Sequence, residues 1–542
     1  MQGILIVVIL VVVGAAIAAY YLTVPPPVKF KDTLIVGTTD SVQSSIDPSD
    51  AYDFFGWAVI QTLGAPLIDI VPGSAAGPKD LAPALAESWS VSSDGIAWTF
   101  NLRQGLKFSD GVEFTAEDVK YSFERGMKIA NPDGAFVGIG YDSIIGSIEV
   151  VGKYQVKFNL KYANAFFGQL MAAAPSYIVN PRYAPMEYFR INYTEGNARA
   201  SSPMDLGPYV LTSWTRVGGK DQEMKWDANP NYWNAAAGYP KTAHIVIRFY
   251  SDATALALAM EAGEVDLAYR HIAPVDIQRF QQKPELKVWR GPSQFIQYLV
   301  MQEGIKPLDD ARVRKAIAAA IDRKPMTDVV LLGQATPLYS MIPNGMAFHS
   351  DPFKKLGDAN YELAKSLLAE VGYSESNKLV LDLWYESSGH YQSSPEIANV
   401  MKSSLEKSGV MQVNLHGVDW PTYRSNMRAE SMALFVLGWY PDYVDSDNYL
   451  FPFVHSSGAS WIHYNYKNPQ MDSLVEQQRA TTDPDKRTQL MTSIQDLLAE
   501  DAPLVPLFQG SNWAVSKPNV DGVVLDISMI FRYYLLFAAQ EE

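Results

Sequence analysis

Apolar and polar residues alternate in some segments of the chain and recur at helical spacing in others. Residues 96–102 read IAWTFNL and follow a Ser-Asp-Gly turn at 93–95, which predicts a strand entered from a hairpin. Val119, Phe123 and Met127 then recur at the spacing of one helix face. The pattern in this region therefore predicts antiparallel strands followed by a helix.

Strand and helix patterns also succeed one another farther along the chain. An apolar strand pattern at 244–249 is followed by a helix pattern at 252–262 and a second strand pattern at 265–269. A helix between two strands at this spacing predicts a parallel βαβ unit. The mixture continues to a buried, proline-interrupted strand pattern at 503–508, so the whole pattern predicts a mixed α/β fold.

An apolar segment without charge occupies residues 4–22, beginning at Ile4 and ending at Leu22. About 19 residues in a helix span roughly 28 Å, close to the thickness of a bilayer core. Three prolines at 25–27 then favour an extended exit. We therefore expect residues 1–28 to form a transmembrane anchor helix with a Pro-rich linker. Two alternatives stay open: a cleaved secretory signal, although no positive charge precedes the segment, and an assembly helix, because the segment resembles the N-terminal helix of archaeal pilin-like chains.

The charge balance and the lack of cysteine exclude several kinds of partner and chemistry. The 542 residues include 44 Lys and Arg against 59 Asp and Glu, which gives a formal net charge of −15. An acidic surface argues against nucleic acid as a partner. The absence of cysteine removes disulfides, thiolate metal ligands and cysteine nucleophiles.

Catalytic and metal-binding motifs are also missing from the sequence. The chain contains no G-x-S-x-G, no H-E-x-x-H and no glycine-rich phosphate loop. The closest two of its seven histidines, His455 and His463, are eight residues apart, which is not a ligand spacing. No spacing among the acidic residues singles out a glycosidase-type carboxylate pair. We therefore expect no enzyme activity, no cofactor and no bound metal.

Several sequence blocks occur in an order and spacing typical of one family. The clearest blocks are LAPALAESWS at 81–90, TFNLRQGLKFSDG at 99–111 and FTAEDV at 114–119. Further matches are GPY at 207–209, NPNYW at 229–233, EVDL at 264–267, VRKAI at 313–317 and GWYPDY at 438–443. Through these blocks, residues 31–540 resemble the peptide/nickel (family 5) extracellular solute-binding proteins of ABC transporters, of the oligopeptide- and dipeptide-binding type.

The resemblance implies a two-lobed, periplasmic-binding-protein-like α/β fold of the Venus flytrap kind. Lobe one is expected to comprise residues 31–291 and 507–540, with an inserted subdomain at about 73–201. Lobe two is expected to comprise residues 292–506. The resemblance also implies an ABC permease as partner and a place on the extracellular side of the cytoplasmic membrane, where the N-terminal helix would anchor the protein.

Four candidate ligand residues are implied by the resemblance. Asp442 falls on the aspartate that pairs with the α-amine of a bound peptide, and a charge-assisted hydrogen bond suits that role. An aspartate in a Pro-Asp-Tyr turn also caps its own backbone, so the turn role stays open. Trp439 and Trp420 match aromatic residues that wall side-chain pockets, with core packing as the alternative for each. Gly438 matches a position whose backbone bonds to an extended peptide.

Other candidate ligand residues lie at strand ends or where the chain is predicted to cross between lobes. Arg270 suits a ligand carboxylate, with a solvated surface charge as the alternative. The remaining candidates are Tyr269, Thr38, Thr39, Asp40, Phe508 and Gln509.

The predicted function is the capture of oligopeptides between two lobes and their delivery to a permease. An oligosaccharide ligand stays open, because Trp and Tyr rings also suit sugar faces. A surface or filament subunit that self-assembles through the N-terminal helix is the third hypothesis.

Overall fold

The computed structural model describes residues 30–43, 45–131, 134–187, 202–388, 390–391, 393–459 and 463–540. The helix predicted over residues 1–28 lies outside these ranges. Within them, no helix is both long enough and apolar enough to cross a bilayer.

Strands occur along the whole described chain. In chain order they are β1 Thr33–Thr38, β2 Ile68–Ile70, β3 Leu81–Pro83, β4 Ala86–Val91, β5 Ala97–Leu102, β6 Ile145–Gly152, β7 Gln155–Leu160, β8 Tyr209–Val217, β9 Lys220–Ala228, β10 His244–Phe249, β11 Leu267–Tyr269, β12 Lys287–Met301, β13 Ala335–Pro337, β14 Leu379–Glu386, β15 Met411–Val418, β16 Leu434–Trp439, β17 Leu504–Ser516, β18 Val520–Asp521 and β19 Phe537–Ala538.

Helices alternate with these strands. The α-helices of the same ranges are α1 Phe54–Leu63, α2 Ala116–Ile129, α3 Ala135–Ile139, α4 Tyr141–Ile144, α5 Phe167–Leu170, α6 Ala253–Glu261, α7 Pro274–Gln281, α8 Ala311–Ala320, α9 Tyr361–Ala369, α10 Ser394–Glu406, α11 Trp420–Arg428, α12 Phe451–Val454, α13 Ser456–Ala459, α14 Pro469–Ala480 and α15 Pro484–Asp501.

One large sheet joins the two halves of the molecule. Its strand order is β15-β14-β16-β12-β17-β11-β1-β10-β9-β8, and β13 pairs with β17 beside this path. β12 and β17 pair antiparallel along most of their length, with breaks in register between Pro292 and Ile296 and between Gln297 and Tyr298. Such irregularities bend a strand, and here they lie where the two long strands connect the halves of the sheet.

The first half is arranged around β1. The strand–helix–strand pattern at 244–269 is confirmed as β10, α6 and β11. β10 and β11 are not neighbours, however, because each pairs in parallel with β1, which lies between them. The N-terminal strand completes this unit through a long-range pairing that a local pattern does not encode.

A four-stranded antiparallel sheet, ordered β4-β5-β7-β6, forms a separate layer within the first half. The predicted hairpin strand and the helix after it are confirmed as β5 and α2. α2 begins with a capping box, in which the Asp118 carboxylate accepts from the Thr115 backbone N–H at 2.8 Å. Phe123 of α2 packs on Phe158 of β7 with 4.9 Å between ring centroids, so the helix covers one face of this sheet.

Separate hydrophobic cores fill these layers. Trp226 and Tyr209 lie in the core under β1 and β10, whereas Leu299 and Val436 lie in a core of the second half. The small antiparallel sheet has a core of its own around Phe100. Distinct cores joined by two long strands are typical of lobes that move relative to one another. The residue bounds given above for the lobes stay a prediction.

Candidate functional site

A cavity of about 620 Å³ lies beside the bulged part of β12 and β17. Its wall combines side chains from both predicted lobes, including the ends of β11 and β16 and both long strands. The lining residues are Arg270, His271, Ile272, Ser293, Phe295, Gln297, Leu331, Gln334, Ala335, His390, Tyr391, Gly438, Tyr440, Phe508, Gly510, Ser511, Asn512, Trp513 and Met529.

Both long strands contribute to this wall, and strand alternation accounts for the share of β12. β12 supplies Ser293, Phe295 and Gln297, whereas β17 supplies Phe508 and all four residues of 510–513. Residues two apart on a strand lie on the same face. The connection between the two halves therefore also forms the floor of the cavity.

An aromatic cluster forms the side of the cavity that belongs to the second half. The ring of Phe295 lies 4.8 Å from that of Tyr440 and 6.3 Å from that of Tyr391. A Cβ on Gly438 would lie 2.7 Å from the rings of Phe295 and Tyr391, which explains the glycine at this position. The Tyr391 hydroxyl is 3.4 Å from the Gly438 carbonyl and donates to it, so this carbonyl already has a partner before any peptide backbone arrives.

Arg270 and His271 form the opposite side of the cavity together with Asp40. The Arg270 Nε is 3.3 Å from the Asp40 carboxylate, and its Nη2 is 3.0 Å from His271 Nε2. Thr39 Oγ1 lies 3.4 Å from the other ring nitrogen of His271. Both Arg270 and His271 have positive φ, 68° and 56°, which side chains other than glycine rarely adopt. Such strain is typical of positions held for a functional reason.

Several polar atoms of cavity-lining residues are buried without a hydrogen-bond partner among the described residues. They are Arg270 Nη1, Gln297 Oε1, Gln334 Nε2 and Trp513 Nε1. A buried polar group without a partner costs about 1–3 kcal/mol.

Asp442 lies close to this cavity but is not one of its lining residues. Its carboxylate accepts a hydrogen bond of 2.7 Å from the Tyr52 hydroxyl, which comes from the first half. Its backbone N–H donates to the Asn448 side chain at 3.0 Å. Burial raises the pKa of Asp442 to about 6, and hydrogen bonds from Tyr52 and Asn448 offset that only in part. Within the described ranges, no positively charged side chain is among the groups that shift the pKa of Asp442.

Three of the predicted ligand residues, Arg270, Gly438 and Phe508, line the cavity. Asp40 and Thr39 do not line the cavity, but Asp40 contacts Arg270 and Thr39 contacts His271, and both of these residues line it. Their roles in binding stay a prediction.

The two predicted tryptophans lie next to the cavity wall and not on it. Trp420 stacks on His390, a lining residue, with 3.8 Å between ring centroids and 12° between planes. Trp439 donates from Nε1 to Asn448 at 3.0 Å and packs edge-on against Phe453. Trp439 therefore positions the same Asn448 that holds the Asp442 backbone.

The other three predicted residues make internal contacts. Tyr269 stacks on Phe531 with 4.0 Å between ring centroids, and the Thr38 hydroxyl accepts from the Asp40 backbone N–H at 3.1 Å. The Gln509 amide donates to the Ser293 and Asn344 backbone carbonyls and accepts from the Asn344 N–H. Tyr269, Thr38 and Gln509 are absent from the cavity lining because these contacts hold them within the protein.

Most of the wall was not among the predicted residues. The run QGSN at 509–512 interrupts a mostly apolar strand, and that change of character was a usable signal. Gln334 and Met529 carry no local signal, because only the fold brings their segments to the cavity. No cluster of three or more His, Asp or Glu side chains suited to a metal ion occurs in the part of the chain that the structure describes.

A two-lobed α/β fold that shares one sheet across a ligand-sized cavity defines the class of periplasmic binding proteins. A solved periplasmic binding protein of this fold, associated with an ABC transporter of Helicobacter pylori and in complex with the peptide STSA, superimposes with a TM-score of 0.73 at 24% identity. The match covers 94% of this chain and 99% of the other.

The chain belongs to the bacterial extracellular solute-binding proteins, family 5, whose middle-region profile matches residues 80–461. It is 28% identical over 478 residues to the di/tripeptide-binding protein 2 of Pseudomonas aeruginosa, covering 84% of this chain and 86% of that protein. It is also 27% identical over 468 residues to the heme-binding protein A of Haemophilus influenzae, covering 83% and 82%. The resemblance read from the sequence blocks is therefore confirmed.

Proposed function

We propose that this protein captures oligopeptides in the cavity between its two lobes and presents them to the permease of an ABC importer, without covalent chemistry. The observation that carries the proposal is the cavity of about 620 Å³ that is lined by residues of both predicted lobes. The di/tripeptide-binding relative and the structure in complex with a peptide support the choice of solute.

Closure of the lobes is the proposed working step. Neither lobe alone removes the ligand from water, whereas the closed protein surrounds it. Two contacts between distant parts of the chain fit a closed state: the Tyr52–Asp442 hydrogen bond, and the Phe166 ring stacked 5.0 Å from the Tyr443 ring. A ligand that touches both lobes shifts the balance toward this state by its differential affinity, and the permease then reads the closed form.

The α-amine of the peptide is proposed to bind at Asp442. A carboxylate with a raised pKa, and with no positively charged neighbour among the described residues, gains from a cationic partner, because the partner offsets the cost of burying its charge. Tyr52, on the other lobe, reaches the same carboxylate. Binding of the amine would thus occur where the two lobes touch.

The proposed place of work is the extracellular side of the cytoplasmic membrane. The apolar segment at residues 4–22 supports an anchor there, which would keep the binding protein near its permease. Comparison of full-length protein with a chain lacking residues 1–28 in membrane fractionation tests this part. Equal release of both chains from the membrane would contradict it, and filaments formed only by the full chain would favour assembly.

Native mass spectrometry of freshly purified protein, followed by calorimetric titration with dipeptides to pentapeptides, tests the proposed solute. We expect co-purified peptides and saturable binding of synthetic ones. Binding of oligosaccharides in place of peptides would reassign the solute within the same class. No binding of either, together with turnover in a peptidase or glycosidase screen, would contradict the function as a whole.

A further inference from the structure

A second contact between the two halves lies away from the cavity, where the chain leaves β7 and where α14 ends. The Ala165 backbone N–H donates to the Arg479 carbonyl at 2.7 Å, and the Phe166 ring stacks on that of Tyr443 with 7° between planes. The Arg479 guanidinium lies 5.2 Å from the same Phe166 ring and 4.0 Å from that of Phe451. Ala165, Phe166, Tyr443 and Arg479 thus form an outer contact. None of them is among the described residues that line the cavity.

The side of the outer contact that carries Phe166 belongs to the inserted region predicted at about 73–201. Arg125 of this region donates to Asp47 in two hydrogen bonds of 2.6 and 2.8 Å, and both side chains are fully buried. A buried bidentate pair of this kind is costly to break. The Asn164 side chain accepts from the Phe166 N–H at 3.0 Å and so shapes the loop that presents the ring. Phe166 is therefore attached firmly to the first half.

The opposite side of the outer contact is held in place by buried carboxylates of the second half. The Tyr443 hydroxyl donates to Asp447 at 2.7 Å, and Arg479 Nη1 lies 3.4 Å from the same carboxylate. Arg487 donates to the neighbouring Asp445 at 2.6 and 2.9 Å. Asp445 and Asp447 are 2% and 0% exposed. A buried polar network with satisfied members rigidifies its surroundings, so Tyr443 and Arg479 are fixed in one arrangement.

Tyr443 extends from the second half into a core of the first. It is 7% exposed and packs in the core around Phe100, which belongs to the small antiparallel sheet. Separation of the halves at this point would return the rings of Tyr443 and Phe166 to water. Burial of these rings therefore stabilises the joined form whatever the cavity holds.

We propose that the outer contact is a latch, which stabilises the closed lobes without touching the solute and has to open each time a solute enters or leaves. The proposal rests on the proposed function and adds a conformational control to it. Because the latch makes no contact with the solute, its strength changes the affinity for every solute by the same factor. The selectivity of the cavity stays the same.

The turn between β4 and β5 offers a way to lock the latch, because it touches the second half at Thr482. A Cβ on Gly95 would lie 3.1 Å from Thr482 Cγ2, and the chain contains no cysteine. This spacing suits a disulfide, in which the two Cβ atoms lie about 3.5–4.5 Å apart. A variant that combines Gly95→Cys with Thr482→Cys can therefore form one cross-link within the chain, and that cross-link joins the two halves.

Hydrogen exchange of the Ala165 amide tests the latch without any solute. In the reduced double variant this amide exchanges when the outer contact opens, so oxidation should slow its exchange about tenfold or more. Equal exchange in the oxidised and reduced forms would overturn the proposal. The two single variants, treated with the same oxidant, are the controls, because neither can form the cross-link between the halves.

Peptide uptake by the same variant tests the consequence for binding. Trialanine and Ala-Phe-Ala are the probes, and the oxidised form should take up both about tenfold or more slowly than the reduced form, with recovery after reduction. Equal uptake by the two forms would overturn the latch while the proposed function stands. If neither form binds a peptide, the proposed function fails and the hydrogen exchange of Ala165 alone decides on the latch.

Phe166→Leu tests the latch if the cysteine pair prevents folding, because it keeps an apolar side chain and removes only the ring. The Kd of trialanine and that of Ala-Phe-Ala should rise by the same factor, about two- to tenfold, as expected for the loss of one aromatic pair. A change for one peptide alone, or for neither, would overturn the proposal. Thermal melting of the variant checks that it folds.

Discussion

Replacing Asp442 by Asn distinguishes a ligand residue from a turn residue, because the two roles predict opposite changes in stability. Burial raises the pKa of Asp442 to about 6 from its ordinary value of 3.8. At pH 7 the folded protein therefore carries an ionised carboxylate in surroundings that disfavour the charge. At ~1.4 kcal/mol per tenfold change in the acid constant, the difference corresponds to about 3 kcal/mol. This is an upper bound, because Asp442 keeps part of its surface exposed.

Asparagine keeps an oxygen that accepts from the Tyr52 hydroxyl but carries no charge. We expect Asp442→Asn to stabilise the ligand-free protein at pH 7 by up to about 3 kcal/mol. The sign follows from the raised pKa: the penalty is complete above pH 6, shrinks as the pH falls through 6, and vanishes below 3.8, where folded and unfolded chains are both protonated. Binding should change in the opposite direction, with a loss of about ten- to a hundredfold for peptides that have a free α-amine.

Thermal melting of the ligand-free proteins at about pH 4 and pH 7 measures the first effect, and calorimetric titration measures the second. An N-acetylated peptide should bind both proteins equally. Asp94→Asn is the matched control, because Asp94 is a true turn aspartate that accepts from the Ser92 hydroxyl and the Ile96 N–H. These hydrogen bonds lower the pKa of Asp94, so its replacement should reduce stability.

The reasoning on Asp442 would be refuted by a variant that behaves like the control. A lower melting temperature at pH 7, with unchanged affinity for peptides that have a free amine, would identify Asp442 as a structural turn residue. Equal weakening of free and acetylated peptides would mean that the substitution disturbs the cavity and not an amine site.

Three more results are expected. Lowering the pH from about 7 to 5 should raise the Kd of a free-amine peptide about tenfold, because protonation of Asp442, with a pKa of about 6, removes the charge that binds the amine. Isothermal titration at both pH values measures this change, and an unchanged Kd would contradict it. Phe166→Ala removes the ring that stacks on Tyr443 and should weaken peptide binding about five- to a hundredfold, because closure loses about 1–3 kcal/mol of aromatic burial. Small-angle X-ray scattering of the peptide-bound protein should then show a larger radius of gyration for the variant, and an unchanged radius would contradict a closing contact here. Gly438→Ala should lower the free energy of unfolding by about 1–3 kcal/mol, because the new methyl group would lie 2.7 Å from two aromatic rings. Denaturant unfolding measures this loss, and unchanged stability would mean that those rings move aside freely.

The residue pattern by itself determined the local elements. Alternation around a Ser-Asp-Gly turn predicted β5, and helical spacing behind Thr115 predicted α2, because these elements depend on neighbours within a few residues. The strand–helix–strand pattern also predicted the βαβ unit. The insertion of β1 between β10 and β11 was not, because it pairs residues about 200 positions apart.

The sequence blocks determined the family, and through it the expectation of two lobes. Gly438 could be chosen through the family resemblance, and Arg270 and Phe508 because they lie at strand ends or predicted crossings between lobes; all three line the cavity. The strand predicted at 503–508 extends in the structure to Ser516, and that extension carries much of the cavity floor. A strand pattern interrupted by prolines hides such continuity, because β17 tolerates Pro506 next to a break in register.

Only the tertiary structure decided the composition of the cavity and its charge. The aromatic cluster joins Phe295, Tyr391 and Tyr440, which lie on three separate segments, and Gln334 and Trp513 reach the same cavity only through folding. A sequence can show that a side chain is polar, but not whether its hydrogen bonds are already satisfied. That property depends on which distant groups approach it.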